Sequence, residues 1–202
     1  MHEGTPMRAL LDRWRRGREA RRGVAALEWA IEAAEAGDAH DPASGLDDVV
    51  AGLAALRADG APNDPHLDLL EARALFLSGR AAEARAPAHR AATARPYDVE
   101  SRITHGLICL ALDRLDEAGH EFEAVLEEFG GDPGAEDGRR AVALARGRLP
   151  LDEHALPGDL DAAAGLLLTC WRRAGATPAR LDVLRAQGAD PVVLAALEAA
   201  GG

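Results

Sequence analysis

Few residues in this chain have the type and spacing to do chemistry. His105 and Cys109 stand four apart inside an apolar helical pattern, and His120 falls on the helix expected to follow. Positions i and i+4 share one helix face, so a thiol and an imidazole there, with a second imidazole opposite, resemble the donor set that zinc accepts. The structural reading of the same three residues is plainer and is the one adopted: Cys109 in the core, His105 packed beside it, His120 facing water, and no metal or cofactor. A second group, Leu151-Asp152-Glu153-His154 with Asp159 and Asp161 nearby, gathers acids around an imidazole, as general acid–base catalysis would need. It reads more simply as a solvated acidic loop followed by a helix N-cap. His120-Glu121 lacks the second histidine of a metalloprotease helix. The only serines are Ser44, Ser78 and Ser101, none in a Gly-x-Ser-x-Gly elbow.

Composition narrows the chemistry further. All 23 basic residues are arginine. Without lysine there is no P-loop lysine, no Schiff base and no Ser–Lys pair. The 202 residues are 48% hydrophobic and 28% charged, enough to bury a core, but only 3% are aromatic, so the core must be Ala, Leu and Val. Asn63 and Gln187 are the only side-chain amides. Abundant Arg and Ala beside so few amides points to a GC-rich coding sequence. The net charge of −11 opposes general nucleic-acid binding, because phosphate contacts need cations. Residues 1–22 hold seven arginines against three acids, a net of +4, which leaves −15 on the rest. Cys109 and Cys170 both lie in apolar helical patterns and are expected as buried thiols. No apolar run is long enough to span a membrane, and the basic first residues lack the apolar stretch of a signal peptide, so a cytoplasmic location is expected.

The elements that must position these residues are helices. Thr5-Pro6 opens a helix whose stripe is Met7, Leu10, Leu11 and Trp14. Leu27, Ala30, Ile31 and Ala34 repeat that spacing up to Gly37, and Asp38 to Gly45 reads as a loop. Asp47 is placed to cap the next helix, which Gly60 closes. No segment alternates apolar and polar residues as a strand would, so the expected fold is all-α.

An internal repeat organises the middle. Gly79-Arg80, Asp113-Arg114 and Gly147-Arg148 stand 34 residues apart, and Gly45 is one step upstream. Ala84 and Ala118 follow their turns by five residues, and Ala88 and Phe122 by nine. Two antiparallel helices per 34 residues is a solenoid period. Residues 66–98 and 100–132 resemble the tetratricopeptide (TPR) repeat family. They carry its inter-helix turn, its small residue at the helix crossing (Ala84, Ala118), and in one unit each its first-helix Gly106, its Phe122 and its terminating Pro96. The family's early Trp is missing, Leu75 and Cys109 replace its Tyr, and Pro87 is expected to kink its helix. The resemblance covers about 46–132. Beyond it, Asp159, Thr177-Pro178 and Asp190-Pro191 start three further helices, read as degenerate repeats and a cap.

The resemblance implies one domain over 1–202, a right-handed stack of antiparallel helical hairpins, with about eleven helices and degenerate carboxy-terminal repeats. It also implies a concave groove lined by first helices, here His66, Leu69, Arg73, Phe76, Leu77, Tyr97, Glu100, Ile103, Leu107 and Leu110. Such a groove suits an apolar peptide or helix of another protein, and the expected function is a non-enzymatic interaction scaffold. The alternative is an adaptor whose first helix docks an anionic partner through Arg13, Arg15, Arg16, Arg18, Arg21 and Arg22. Those arginines are equally available to balance the acidic body of their own chain.

Overall fold

The computed structural model describes residues 22–36, 42–58, 64–150 and 157–201. The described residues form helices joined by turns, with no strand among them, and no helix among them is long and apolar enough to cross a membrane. In chain order they form α1 (22–35), α2 (Pro42–Ala58), α3 (Pro65–Leu77), α4 (Ala81–Ala94), α5 (Val99–Ala111), α6 (Leu115–Phe129), α7 (Pro133–Ala145), α8 (Pro157–Arg173), α9 (Thr177–Ala186) and α10 (Pro191–Gly201). Consecutive helices from α2 to α8 pack on one another, and α3 also touches α5 and α5 touches α7.

The 34-residue period is written twice in each unit. Asp64, Asp98 and Asp132 cap α3, α5 and α7 at 34-residue steps, each accepting a hydrogen bond from a backbone N–H of the first turn. These caps satisfy donors that a helix start otherwise leaves open. At the far ends, Gly79, Asp113 and Gly147 all take positive φ, 80°, 63° and 70°. The N–H of the residue that follows each one reaches back five residues, Arg80 to Leu75, Arg114 to Cys109 and Arg148 to Ala143, at 2.8–3.0 Å. This left-handed cap is what reverses the chain, and it favours Gly or Asp.

Two expectations upstream are corrected. Gly45 is not a turn but lies within α2, which starts at Pro42 rather than at Asp47. A proline is well suited to the first helical position, and that outweighed the Asp signal. The expected first helix (Met7 to Trp14) lies outside the described residues. Downstream, α8 also starts two residues early, at Pro157, leaving Asp159 in its first turn. α4 runs unbroken through Pro87.

Two clusters make up the core. α1, α2 and α3 share Ile31, Leu46, Val49, Leu53, Leu67, Leu70 and Ala74. The larger cluster runs from α3 to α10. Ala84 and Ala118 are fully buried, as the helix-crossing reading requires. Phe122 supplies the bulk at the centre of the repeats. Its ring edge lies so near α5 and α7 that a Cβ added to Gly106 or Gly138 would approach it to 2.8 Å or 2.5 Å.

α8 departs from a plain stack. It packs on α5 as well as on α7, and its end reaches α3: the Arg173 guanidinium sits 4.9 Å over the Phe76 ring, and the Arg173 carbonyl lies 3.5 Å from a Cβ built on Gly79. Its apolar side, with Ala164, Leu167, Leu168 and Trp171, joins the same cluster as Phe76 and Leu110.

Candidate functional site

The groove expected from the repeat is divided by this arrangement. Leu69, Phe76 and Leu110 are buried, at 2%, 4% and 0% exposure, and so do not line an open surface. The last two belong to the cluster that the apolar stripe of α8 enters, α8 packs on α5, and Arg173 of α8 lies over the Phe76 ring. Leu77 is half-buried against the α1–α3 cluster. His66 is held by Glu28 of α1 at 2.7 Å. Tyr97 is 71% exposed at the joint between α4 and α5.

What stays open is a groove of about 580 Å³ lined by Glu35, Arg73, Asp98, Val99, Glu100, Ile103, Thr104 and Leu107. Ile103 and Leu107 are half-buried and one helical turn apart on α5, so they form a small apolar floor. Arg73 bridges the walls, donating to Glu35 of α1 at 2.6 Å and to Glu100 of α5. Burial works against its charge, but Glu35 and Glu100 more than compensate and raise its pKa. The lining holds three carboxylates and one guanidinium, so the groove is acidic; Glu35 and Glu100 pair with Arg73, and Asp98 caps α5 through Ser101. Of the anion-docking arginines only Arg22 is described, and it is exposed on α1; Arg13, Arg15, Arg16, Arg18 and Arg21 lie outside the described residues.

The opposite face of α5 carries a denser polar cluster. His105 and Cys109 point there because they fall about half a turn away from Ile103 and Leu107. Both are buried, whereas His120 is exposed. Facing them from α6 is not His120 but Glu117 and Glu121. Cys109 Sγ lies 3.4 Å from His105 Nε2 and 3.7 Å from Glu117 Oε2. The Nδ1 of His105 contacts Glu121 Oε1 at 3.0 Å, and the exposed His89 of α4 packs its ring 5.2 Å from that of His105. Burial and the Glu117 charge push the Cys109 thiol up to about 12. Sequence reasoning found His105 and Cys109 but missed Glu117 and Glu121. The signal was present: an i, i+4 acid pair on the next helix, which an antiparallel hairpin turns toward the i, i+4 His–Cys pair.

No family model, curated protein or solved structure matches this chain. The functional reading therefore stands on the two faces of α5 themselves.

Arg114 and Arg85 both bond Glu117, holding its carboxyl down at about 2. Glu121 is lowered too: burial alone would raise it, but the His105 hydrogen bond and the Arg102 charge win. A carboxylate whose folded pKa is depressed adds stability above its unfolded value, near 4.3, and loses it as pH falls toward the folded one. The urea midpoint should therefore drop between about pH 5 and pH 2, and Glu117→Gln should flatten part of that drop. Parallel pH profiles for the two proteins would remove Glu117 from this account. The described part of the acidic loop is equally structural: Asp159 lies 3.6 Å from Arg140. Asp152, Glu153 and His154 lie outside the described residues.

Proposed function

We propose that the protein is a non-enzymatic interaction scaffold built as a right-handed TPR-like stack, and that it holds a segment of a partner protein in the groove between α1, α3 and α5. The 34-residue recurrence of both the Asp caps and the positive-φ turns supports the repeat reading. The observation that carries the binding reading is the composition of the groove: Ile103 and Leu107 as floor, with Glu35, Asp98, Glu100 and one Arg73 lining it. An occupant that complements it places apolar side chains on the floor and a basic residue beside Glu100, which is exposed and, among the described residues, bonded by Arg73. The partner is thus a basic, amphipathic peptide segment.

Selection of displayed random peptides on the full chain tests this. The enriched peptides are expected to share a basic residue next to an apolar pair. Leu107→Asp should weaken them by about 2 kcal/mol, roughly thirtyfold, as for a central anchor, while the thermal midpoint stays within a few degrees. Peptides that bind Leu107→Asp and Glu100→Arg as well as wild type would place the docking surface elsewhere, and failure to enrich any peptide would remove the scaffold reading of this groove.

A further inference from the structure

The cluster on the other face of α5 has a geometry that its role in packing does not require. Buried thiols in helical cores are ordinarily surrounded by apolar side chains. Cys109 is fully buried, yet two polar groups of different chemistry stand at its sulfur, an imidazole nitrogen at 3.4 Å and a carboxylate oxygen at 3.7 Å that accepts from the thiol. His105, Cys109 and Glu117 each offer one ligand atom, and these atoms all lie within 4.8 Å of one another. Tetrahedral zinc with bonds of about 2.0–2.3 Å sets its ligand atoms roughly 3.3–3.7 Å apart, so the sulfur already stands at ligand spacing from both neighbours.

A second observation is independent of the spacing. The Nδ1 of His105 is engaged by the Glu121 carboxylate at 3.0 Å. A carboxylate accepts only from a protonated nitrogen, so this contact places a ring proton on Nδ1, with Nε2 directed toward Cys109. A carboxylate behind a histidine is the arrangement that orients imidazole for metals and raises its basicity. Glu121 is itself held by Arg102 at 3.1 Å, and Glu117 is held by Arg114 through Oε1 and by Arg85 at 3.1 Å through Oε2, the oxygen that faces the thiol. The ligand orientations are thus fixed by other groups, without an ion.

We infer that His105 Nε2, Cys109 Sγ and Glu117 Oε2 form a binding site for a borderline-soft divalent cation of the zinc type, clipping α5 to α6. The donor set of nitrogen, thiolate sulfur and one carboxylate oxygen suits zinc rather than calcium or magnesium, which take oxygen. Water beside the half-exposed Glu117 completes the coordination. Binding requires the thiolate, so the Cys109 proton leaves to solvent and one proton is released per ion bound. The thiolate and the Glu117 carboxylate supply the negative charge toward the cation, and Arg85 and Arg114 share that carboxylate with it. This site is separate from the groove, and either assignment can fail alone.

Titration of the metal-free full chain with Zn²⁺, and with Co²⁺ as a spectroscopic probe, tests it. One equivalent should bind with release of one proton, the Co²⁺ form should show a thiolate-to-metal charge-transfer band, and the thermal midpoint should rise with zinc concentration. Cys109→Ser should abolish the band and Cys170→Ala should keep it. Should Cys109→Ser not fold, as judged by its far-UV spectrum, Glu117→Gln keeps the side chain's shape while removing the charge that Arg85 and Arg114 pair with, and is expected to weaken Zn²⁺ at least tenfold. No saturable Zn²⁺ binding below about 1 mM would overturn the site, as would a band that survives in Cys109→Ser or a Zn²⁺ affinity unchanged by Glu117→Gln.

Discussion

Leu110→Asp should leave the chain unfolded or nearly so. Leu110 has no exposed surface and shares its cluster with Phe76, Leu167, Leu168 and Trp171. A carboxylate there loses its hydration with no cation described beside it, and must either stay ionised at high cost or take up a proton. Added to the lost apolar contacts, the penalty is expected to exceed about 4 kcal/mol, a large share of the roughly 5–15 kcal/mol that holds a domain together. The contrast with Leu107→Asp, three residues earlier on the same helix, is what makes the measurement informative. Leu107 borders the open groove, so its variant should keep a native far-UV spectrum and a near-native urea midpoint. A Leu110→Asp protein as stable as Leu107→Asp would mean that α8 does not cover this part of α5.

Gly138→Ala should destabilise the protein by about 2 kcal/mol or more through overpacking. Intrinsic preference acts the other way, since alanine in place of glycine inside a helix would otherwise add about 0.8–1 kcal/mol. The added methyl would meet the Phe122 ring edge at 2.5 Å. Phe122 is fully buried, and the same ring edge is 2.8 Å from a Cβ built on Gly106, so the ring cannot give way freely. The loss should shrink when Gly138→Ala is combined with Phe122→Leu, because the shorter side chain vacates the contact. A double-mutant cycle from urea unfolding reads that coupling directly. Gly138→Ala that raises the midpoint, or an additive cycle, would show that this three-helix contact is looser than described.

These two expectations separate what could be read along the chain from what could not. The sequence alone determined the all-helical class, the turns at Gly79, Asp113 and Gly147, and the small residues at the helix crossings, Ala84 and Ala118. Each of these is a local or periodic property: helix spacing, a residue that tolerates positive φ, and a crossing too close for a large side chain. Asp64, Asp98 and Asp132 were equally readable at the same period. Gly45 obeyed the period and still failed, because a local helix start at Pro42 took precedence. The sequence also placed His105 and Cys109 on one helix face.

The tertiary structure decided the rest. Phe76 and Leu110 have the spacing of a groove floor, but whether such a floor stays open depends on where another apolar helix goes, and helix periodicity says only which residues seek burial, not against what. α8 satisfies them, so the open groove shrinks to Ile103 and Leu107 with its acidic rim. In the same way, only the pairing of α5 with α6 brought Glu117 and Glu121 to the thiol and imidazole and left His120 in solvent. Side-chain convergence across helices is set by their relative rotation and register, which a single chain of letters does not encode locally.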